Sequence, residues 1–152
     1  MESVTLHVNG RVRTIAVDAS TPLLYVLRNE LGLKAAKYGC GNEQCGACRV
    51  LVDGSPEFSC NTPVGAFASK EIVTLEGLNS SDELHPIQRA FLEERAAQCG
   101  YCTAGIILTT AALFDEGSSV EEIIDALSVH LCRCGSHPRI VKAVRAAVLE
   151  RS

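Results

Sequence analysis

Eight of the 152 residues are cysteines, and they divide into two sets of four. Cys40, Cys45, Cys48 and Cys60 are spaced C-x4-C-x2-C-x11-C. A C-x4-C-x2-C run followed by a distant fourth cysteine is the plant-type spacing for a 2Fe–2S cluster. Such a cluster needs four thiolates converging on two irons, with backbone N–H groups aimed at the sulfurs. A loop wrapped that closely has little room for bulky side chains. Gly39, Gly41, Gly46 and Ala47 supply the room.

The second set, Cys99, Cys102, Cys132 and Cys134, is spaced C-x2-C-x29-C-x1-C. Taken alone it is ambiguous. Four thiolates also suit structural zinc, and two disulfides are a third option. A Rieske centre needs two His ligands on one iron. Cys134-Gly135-Ser136-His137 offers one Cys/His pair and no match for it, so all-cysteine ligation is simpler. His130 and His137 flank the set and are read as packing or tuning residues rather than ligands. Arg133 either fills a helix gap or offsets the charge of a reduced cluster.

The elements that must position these loops differ between the two halves. Val4, Leu6 and Val8 alternate, Asn9-Gly10 signals a two-residue hairpin turn, and residues 11–17 return as a second strand. Thr21-Pro22 predicts an N-cap followed by Pro at the first helical position. Leu23, Leu24, Leu27 and Leu31 share the face of that helix, and Gly32 fits its end. The first cysteine loop follows. Residues 49–52 are strand-like, Asp53-Gly54 is a turn, and residues 72–75 make a last strand. His7 falls on a strand surface.

After about Gly77 the period changes. Asn79-Ser80-Ser81-Asp82 is polar and linker-like. Four helices are expected beyond it. Pro86, with His85 near its start, opens one that runs to about Ala97. Ile106, Ile107, Thr110, Leu113 and Phe114 form the stripe of the second. Ser119 and Glu122 make a capping box for the third. Ile140, Val141, Val144 and Val148 stripe the fourth, with Pro138 in its first turn. Each pair of the second cysteine set thus sits at a helix junction, and two helix hairpins would bring both pairs to one end of a bundle.

Bulk composition narrows the function. Apolar residues are 47% and charged residues 21%, which favours a folded chain. A net charge of −4 leaves no footprint for nucleic acid or an anionic membrane. No apolar run approaches the roughly 18 residues of a membrane-spanning helix. The start, Met1-Glu2-Ser3-Val4, lacks a secretory signal. A chain kept in reducing conditions uses cysteines as metal ligands rather than disulfides. No paired carboxylates are placed for acid–base work. Glycines cluster at the cysteines, so no phosphate loop for FAD or a nicotinamide nucleotide is evident. Aromatics are only 5% with no Trp, and cluster binding would add to the stability of two small cores.

Two strings carry a family resemblance. Lys37-Tyr38-Gly39-Cys40-Gly41, then Gln44-Cys45-Gly46-Ala47-Cys48, resembles the N-terminal cluster motif of the molybdenum hydroxylase (xanthine oxidase) family. Gln98-Cys99-Gly100-Tyr101-Cys102 and Leu131-Cys132-Arg133-Cys134-Gly135 resemble its second motif. The resemblance covers essentially the whole chain and all eight cysteines. It is to the small iron–sulfur subunit of the bacterial enzymes. Residues 91–102 look closest to the nicotinate and isoquinoline dehydrogenase small subunits.

The resemblance implies an α+β chain. Residues 1–77 would form a plant-type ferredoxin-like (β-grasp) 2Fe–2S domain, and residues 78–152 a four-helix 2Fe–2S bundle. It implies an electron-transfer subunit, without turnover of its own, serving hydroxylation of an N-heteroaromatic substrate such as nicotinate. A large partner subunit would bind molybdopterin, in the cytosine dinucleotide form. Gln98 and Cys134 would contact that pterin across the interface. A flavin subunit or cytochrome c would accept the electrons. The complex would be cytoplasmic, or membrane-associated or co-exported through a partner. An apolar content of 47% also implies a second buried surface, and the resemblance places it at the bundle end carrying Gln98 and the second cysteine set. The rivals are the same role in an aldehyde, purine or CO dehydrogenase, a free-standing ferredoxin, and a zinc-binding interaction module.

Overall fold

The computed structural model describes residues 2–79 and 81–151. Met1, Ser80 of the expected linker, and Ser152 lie outside the described residues. Strands β1 (Ser3–Val8) and β2 (Arg11–Ala16) form the expected antiparallel hairpin. Its turn takes left-handed backbone at both positions, Asn9 at φ 52° and Gly10 at φ 74°. That is the primed geometry matching strand twist, and it explains the Asn-Gly pair. Val4, Leu6 and Val8 point inward.

Helix α1 (Leu23–Tyr25) widens at once into a π-helical turn, Val26–Glu30. Thr21 is not its cap. Pro22 occupies the cap position without a side-chain bond, and Pro22 bridges to Pro63 instead. Gly32 ends the turn at φ 69°, as expected. Strands β3 (Val50–Val52), β4 (Ser55–Glu57) and β5 (Glu71–Val73) complete one sheet in the order β2-β1-β5-β3-β4. The β1–β5 pairing is parallel and the other pairings of the sheet are antiparallel. β5 stops short of the expected residue 75. The Asn9 side chain takes the Thr74 N–H at 2.9 Å and donates to Thr74 Oγ1 at 2.9 Å, which removes Thr74 from the ladder. Leu6, Leu23, Leu24, Leu27, Val50 and Ile72 fill the core between sheet and helix.

The second half is four helices: α2 (Pro86–Glu93), α3 (Thr103–Asp115), α4 (Val120–Ala126) and α5 (His137–Arg151). His85 caps α2, its ring accepting the Ile87 N–H while Gln88 reaches back to the His85 N–H. α2 ends at Glu93 rather than near Ala97, because Arg95 turns left-handed at φ 51° and Ala96 N–H closes back on Phe91 O. Ser119 and Glu122 form the expected capping box of α4.

Helix α3 departs most from its single expected stripe. Every residue from Ala104 to Ala112 is buried, and only Leu113 of the stripe is half-exposed. A helix that is apolar or small all round belongs in a core. One side of α3 packs on α2 and α4, while Leu108 and Ala112 meet Leu51 of β3. This helix therefore joins the sheet half to the helical half.

Candidate metal centres

The first loop leaves the π-helical turn over a bracket of cations. Arg28 Nη1 donates to Lys34 O at 2.7 Å and Ala36 O at 2.8 Å. Lys37 Nζ donates to Lys34 O and Ala35 O, both at 2.9 Å. Lys37 N–H then ties to Ala47 O at 3.0 Å, which closes the base of the loop. Inside it, Cys40 Sγ accepts from the N–H groups of Gln44 (3.2 Å), Asn42 and Cys45 (3.3 Å each). Cys40 N–H returns to Cys45 Sγ at 3.3 Å, and Ser59 N–H donates to Cys48 Sγ at 3.4 Å. Desolvation pushes the Cys40 thiol up, but these N–H groups together bring it down to about 7. Desolvation dominates at Cys60, raised to about 11 with the charges of Cys48 and Cys40 adding to it. A Cβ on Gly39 would lie 2.6 Å from Cys45 Sγ, so the loop holds its sulfurs only with glycine there.

Helix ends build the second site. Cys102 precedes the first turn of α3, and Cys132 and Cys134 precede α5. Tyr101 N–H donates to Cys99 Sγ at 3.4 Å and lowers its thiol. Ser136 N–H donates to Cys132 Sγ at 3.3 Å. Desolvation pushes Cys132 up, and the donors at Ser136 outweigh it, leaving the thiol at about 7. Desolvation and Cys132 push Cys102 up to about 12. Thiolates, not thiols, ligate metal, so N–H groups at sulfur favour ligation.

Within each set the thiols lie close enough to act on one another, Cys60 sensing both Cys48 and Cys40, and Cys99 both Cys134 and Cys132. Cys40 touches Cys45, and Cys48 touches Cys60. Cys99 touches Cys134, and Cys102 touches Cys132. Two irons need two thiolates each, and four thiols brought together in each set fit that need. None of the eight cysteines is in a disulfide.

The two sites meet. Leu131 N–H, next to Cys132, donates to the carbonyl of Cys45 at 3.1 Å. The Tyr101 hydroxyl donates to Tyr38 O, two residues before Cys40. His130 is buried between the loops, with its ring over Gly46 and Nε2 3.1 Å from Thr109 Oγ1. Desolvation, with Arg49 and His137 nearby, holds that imidazole down to about 4, so it is neutral. Gly105 of α3 lies against Gly46 O, where no Cβ fits. Tyr101→Phe removes one of these ties. It should lower stability by about 1 kcal/mol, seen as a Tm fall of roughly 2–4 °C. An unchanged Tm would show that this hydroxyl holds nothing.

Gln98, Cys99 and Cys134 are exposed at one place, beside the Cys99–Cys134 contact. Arg133 is exposed rather than filling a gap. His7 pairs with Glu71 at 3.3 Å on the sheet surface. Leu131, at 65% exposed, and the half-exposed Tyr38, Tyr101 and Val129 border the cysteine loops. Sequence reasoning missed the tyrosine tie, the cation bracket and the Gly105 contact. An isolated glycine inside a helical pattern was the one available sign of the last.

Comparison with known proteins agrees with this geometry. Residues 6–72 match the family model described as a 2Fe-2S iron-sulfur cluster binding domain, and residues 74–145 the one described as a [2Fe-2S] binding domain. The chain is 48% identical over 151 residues to one of the subunits of nicotinate dehydrogenase from Pseudomonas putida, covering 98% of this chain and 96% of that protein. It superposes on a chain of quinoline 2-oxidoreductase from Pseudomonas putida 86 with a TM-score of 0.90 and 34% identity, over 98% of this chain and 94% of that one. It superposes equally on the aldehyde oxidoreductase of Desulfovibrio desulfuricans, at a TM-score of 0.90 and 40% identity. There the match covers 99% of this chain but 17% of that one.

Proposed function

The chain belongs to the molybdenum hydroxylase family, as a small subunit with two 2Fe–2S domains, and from that premise we propose how its residues divide the work. It is an electron-transfer subunit of a multi-subunit oxidoreductase. Cys40, Cys45, Cys48 and Cys60 hold the first cluster in a domain spanning residues 1–77. Cys99, Cys102, Cys132 and Cys134 hold the second in residues 78–152. When bound, each cluster takes up and gives up one electron at a time, carrying reducing equivalents from a partner's molybdenum–pterin cofactor to an outside acceptor.

The chain's own residues set the terms of that transfer. Backbone N–H groups of Asn42, Gln44, Cys45, Ser59, Tyr101 and Ser136 face the thiol sulfurs and stabilise their negative charge. The observation that carries the proposal is the hydrogen bond from Leu131 N–H to Cys45 O. It fixes a loop of one set against a loop of the other, which a relay requires and two independent structural sites do not.

Gln98 and Cys134 contact the pterin, in its cytosine dinucleotide form, across the interface with a large catalytic subunit. Their exposure beside apolar Leu131 supports a docking face there. The substrate is an N-heteroaromatic compound of the nicotinate type, supported by 48% identity across nearly the whole length of both chains. A flavin subunit or cytochrome c receives the electrons. The complex works in the cytoplasm. Among the described residues no helix is long and apolar enough to cross a membrane.

The test is purification from native extract. The chain should copurify with a molybdenum-containing subunit several times its size. Gln98→Ala should keep both clusters while lowering their reduction by substrate. Normal substrate-driven reduction in that variant would remove Gln98 from the interface. A monodisperse monomer active toward soluble redox proteins would establish a free ferredoxin instead.

A further inference from the structure

Three buried side-chain polar atoms have no hydrogen-bond partner among the described residues: Arg49 Nε, His130 Nδ1 and Ser136 Oγ. All three lie in the stretches that carry the cysteines. Ser136 is the most informative, because its ordinary role is open to it and is not taken. It immediately precedes α5, and its carbonyl accepts the N–H groups of Arg139 and Ile140, each at 3.0 Å. A serine in that position normally turns its hydroxyl onto the helix N–H groups. Ser119 does so at α4, and the His85 ring plays the same part at α2. In α5 the second residue is Pro138, which has no N–H, and the Arg139 N–H is already held by the Ser136 carbonyl.

The hydroxyl is therefore released from capping, yet Ser136 is only 2% exposed and bulk water does not serve it. Leaving a buried hydroxyl without a partner is costly. Its backbone N–H already donates to Cys132 Sγ at 3.3 Å. Its hydroxyl proton is uncommitted, on a residue whose backbone already faces that sulfur.

We propose that the Ser136 hydroxyl is a tuning donor for the second cluster, giving its proton to the sulfur at Cys132 and so raising that cluster's reduction potential. An O–H donor stabilises the extra negative charge of the reduced cluster more than that of the oxidised one, and cluster potentials follow hydrogen bonds to sulfur. In the first set the hydroxyl beside Cys48, Ser59 Oγ, is committed to Cys48 O at 2.6 Å. The effect should therefore fall on one cluster and set the potential difference between the two.

This inference rests on the two-cluster assignment above. The experiment is a redox titration of the purified complex, followed by the paramagnetic signal of each cluster. The signal that survives Cys45→Ser identifies the second cluster. Ser136→Ala should move that midpoint to lower potential and leave the first where it is, while Ser136→Thr, which keeps the hydroxyl, should stay near the unsubstituted value. Unmoved midpoints in Ser136→Ala overturn the proposal, as do equal shifts in the Ala and Thr variants. Should Ser136→Ala fail to retain the second cluster, deuterium exchange on the unsubstituted complex decides. A coupled exchangeable proton beyond those of the amides supports the hydroxyl, and amide protons alone overturn it. If the unsubstituted complex shows no pair of reducible centres, the two-cluster assignment has failed rather than the role of Ser136.

Discussion

Cys45→Ser should abolish one of the two paramagnetic signals of the reduced complex and leave the other intact. Iron and acid-labile sulfide should fall together from about four each per chain to about two. The expectation follows from the separation of the sulfur pairs. Cys45 touches Cys40 and accepts its N–H, and no cysteine of the second set lies in that loop. The two signals should also be distinguishable in shape and midpoint. Three N–H groups converge on Cys40, and Cys48 and Cys60 are buried, whereas Cys99 and Cys134 are exposed at helix ends. Two zinc ions with no sulfide, or one signal integrating to two identical centres, would overturn the assignment.

Gly105→Ala should destabilise the chain by about 3 kcal/mol, at the upper end of overpacking costs. The sign carries the information. In an unconstrained helix interior, alanine is more favourable than glycine by about 1 kcal/mol. Here the added Cβ would collide with Gly46 O, a backbone atom in the first cysteine loop. Neither side yields easily. Gly46 is itself pinned at φ 81° under the His130 ring, and Gly105 sits in buried α3. Relief requires moving the first loop away from α3, which would stretch the Leu131–Cys45 bond as well. Chemical denaturation of the cluster-loaded protein measures the effect, and a stabilised Gly105→Ala would show that the two halves are not in this contact.

Local chemistry made much of the fold legible in the sequence. Asn9-Gly10 dictated its hairpin turn, Ser119 with Glu122 dictated a helix start, and cysteine spacing alone separated the two sets. What escaped was tertiary in origin. Thr74 left its strand because a side chain 65 residues earlier took its N–H. α3 showed one stripe to a periodicity count, which took in Thr110 but left out Thr109 as polar. Both are buried, Thr110 bonding Ile106 O at 2.7 Å and Thr109 pairing with His130. The second set was ambiguous between iron–sulfur, zinc and disulfides because spacing says nothing about which thiols pair. Contact between Cys99 and Cys134, and between Cys102 and Cys132, spans the whole stretch from α3 to the start of α5 and exists only once the helices pack.

The unequal burial of the cysteines bears on how such a protein is manufactured. Cys48 and Cys60 are 2% and 5% exposed, so an iron–sulfur donor reaches them only while the sheet half is still open. Cys99 and Cys134 stand at the surface and stay reachable after folding. The first site thus closes around its two deepest thiols as the sheet half folds, whereas the outermost thiols of the second remain open to solvent in the folded chain.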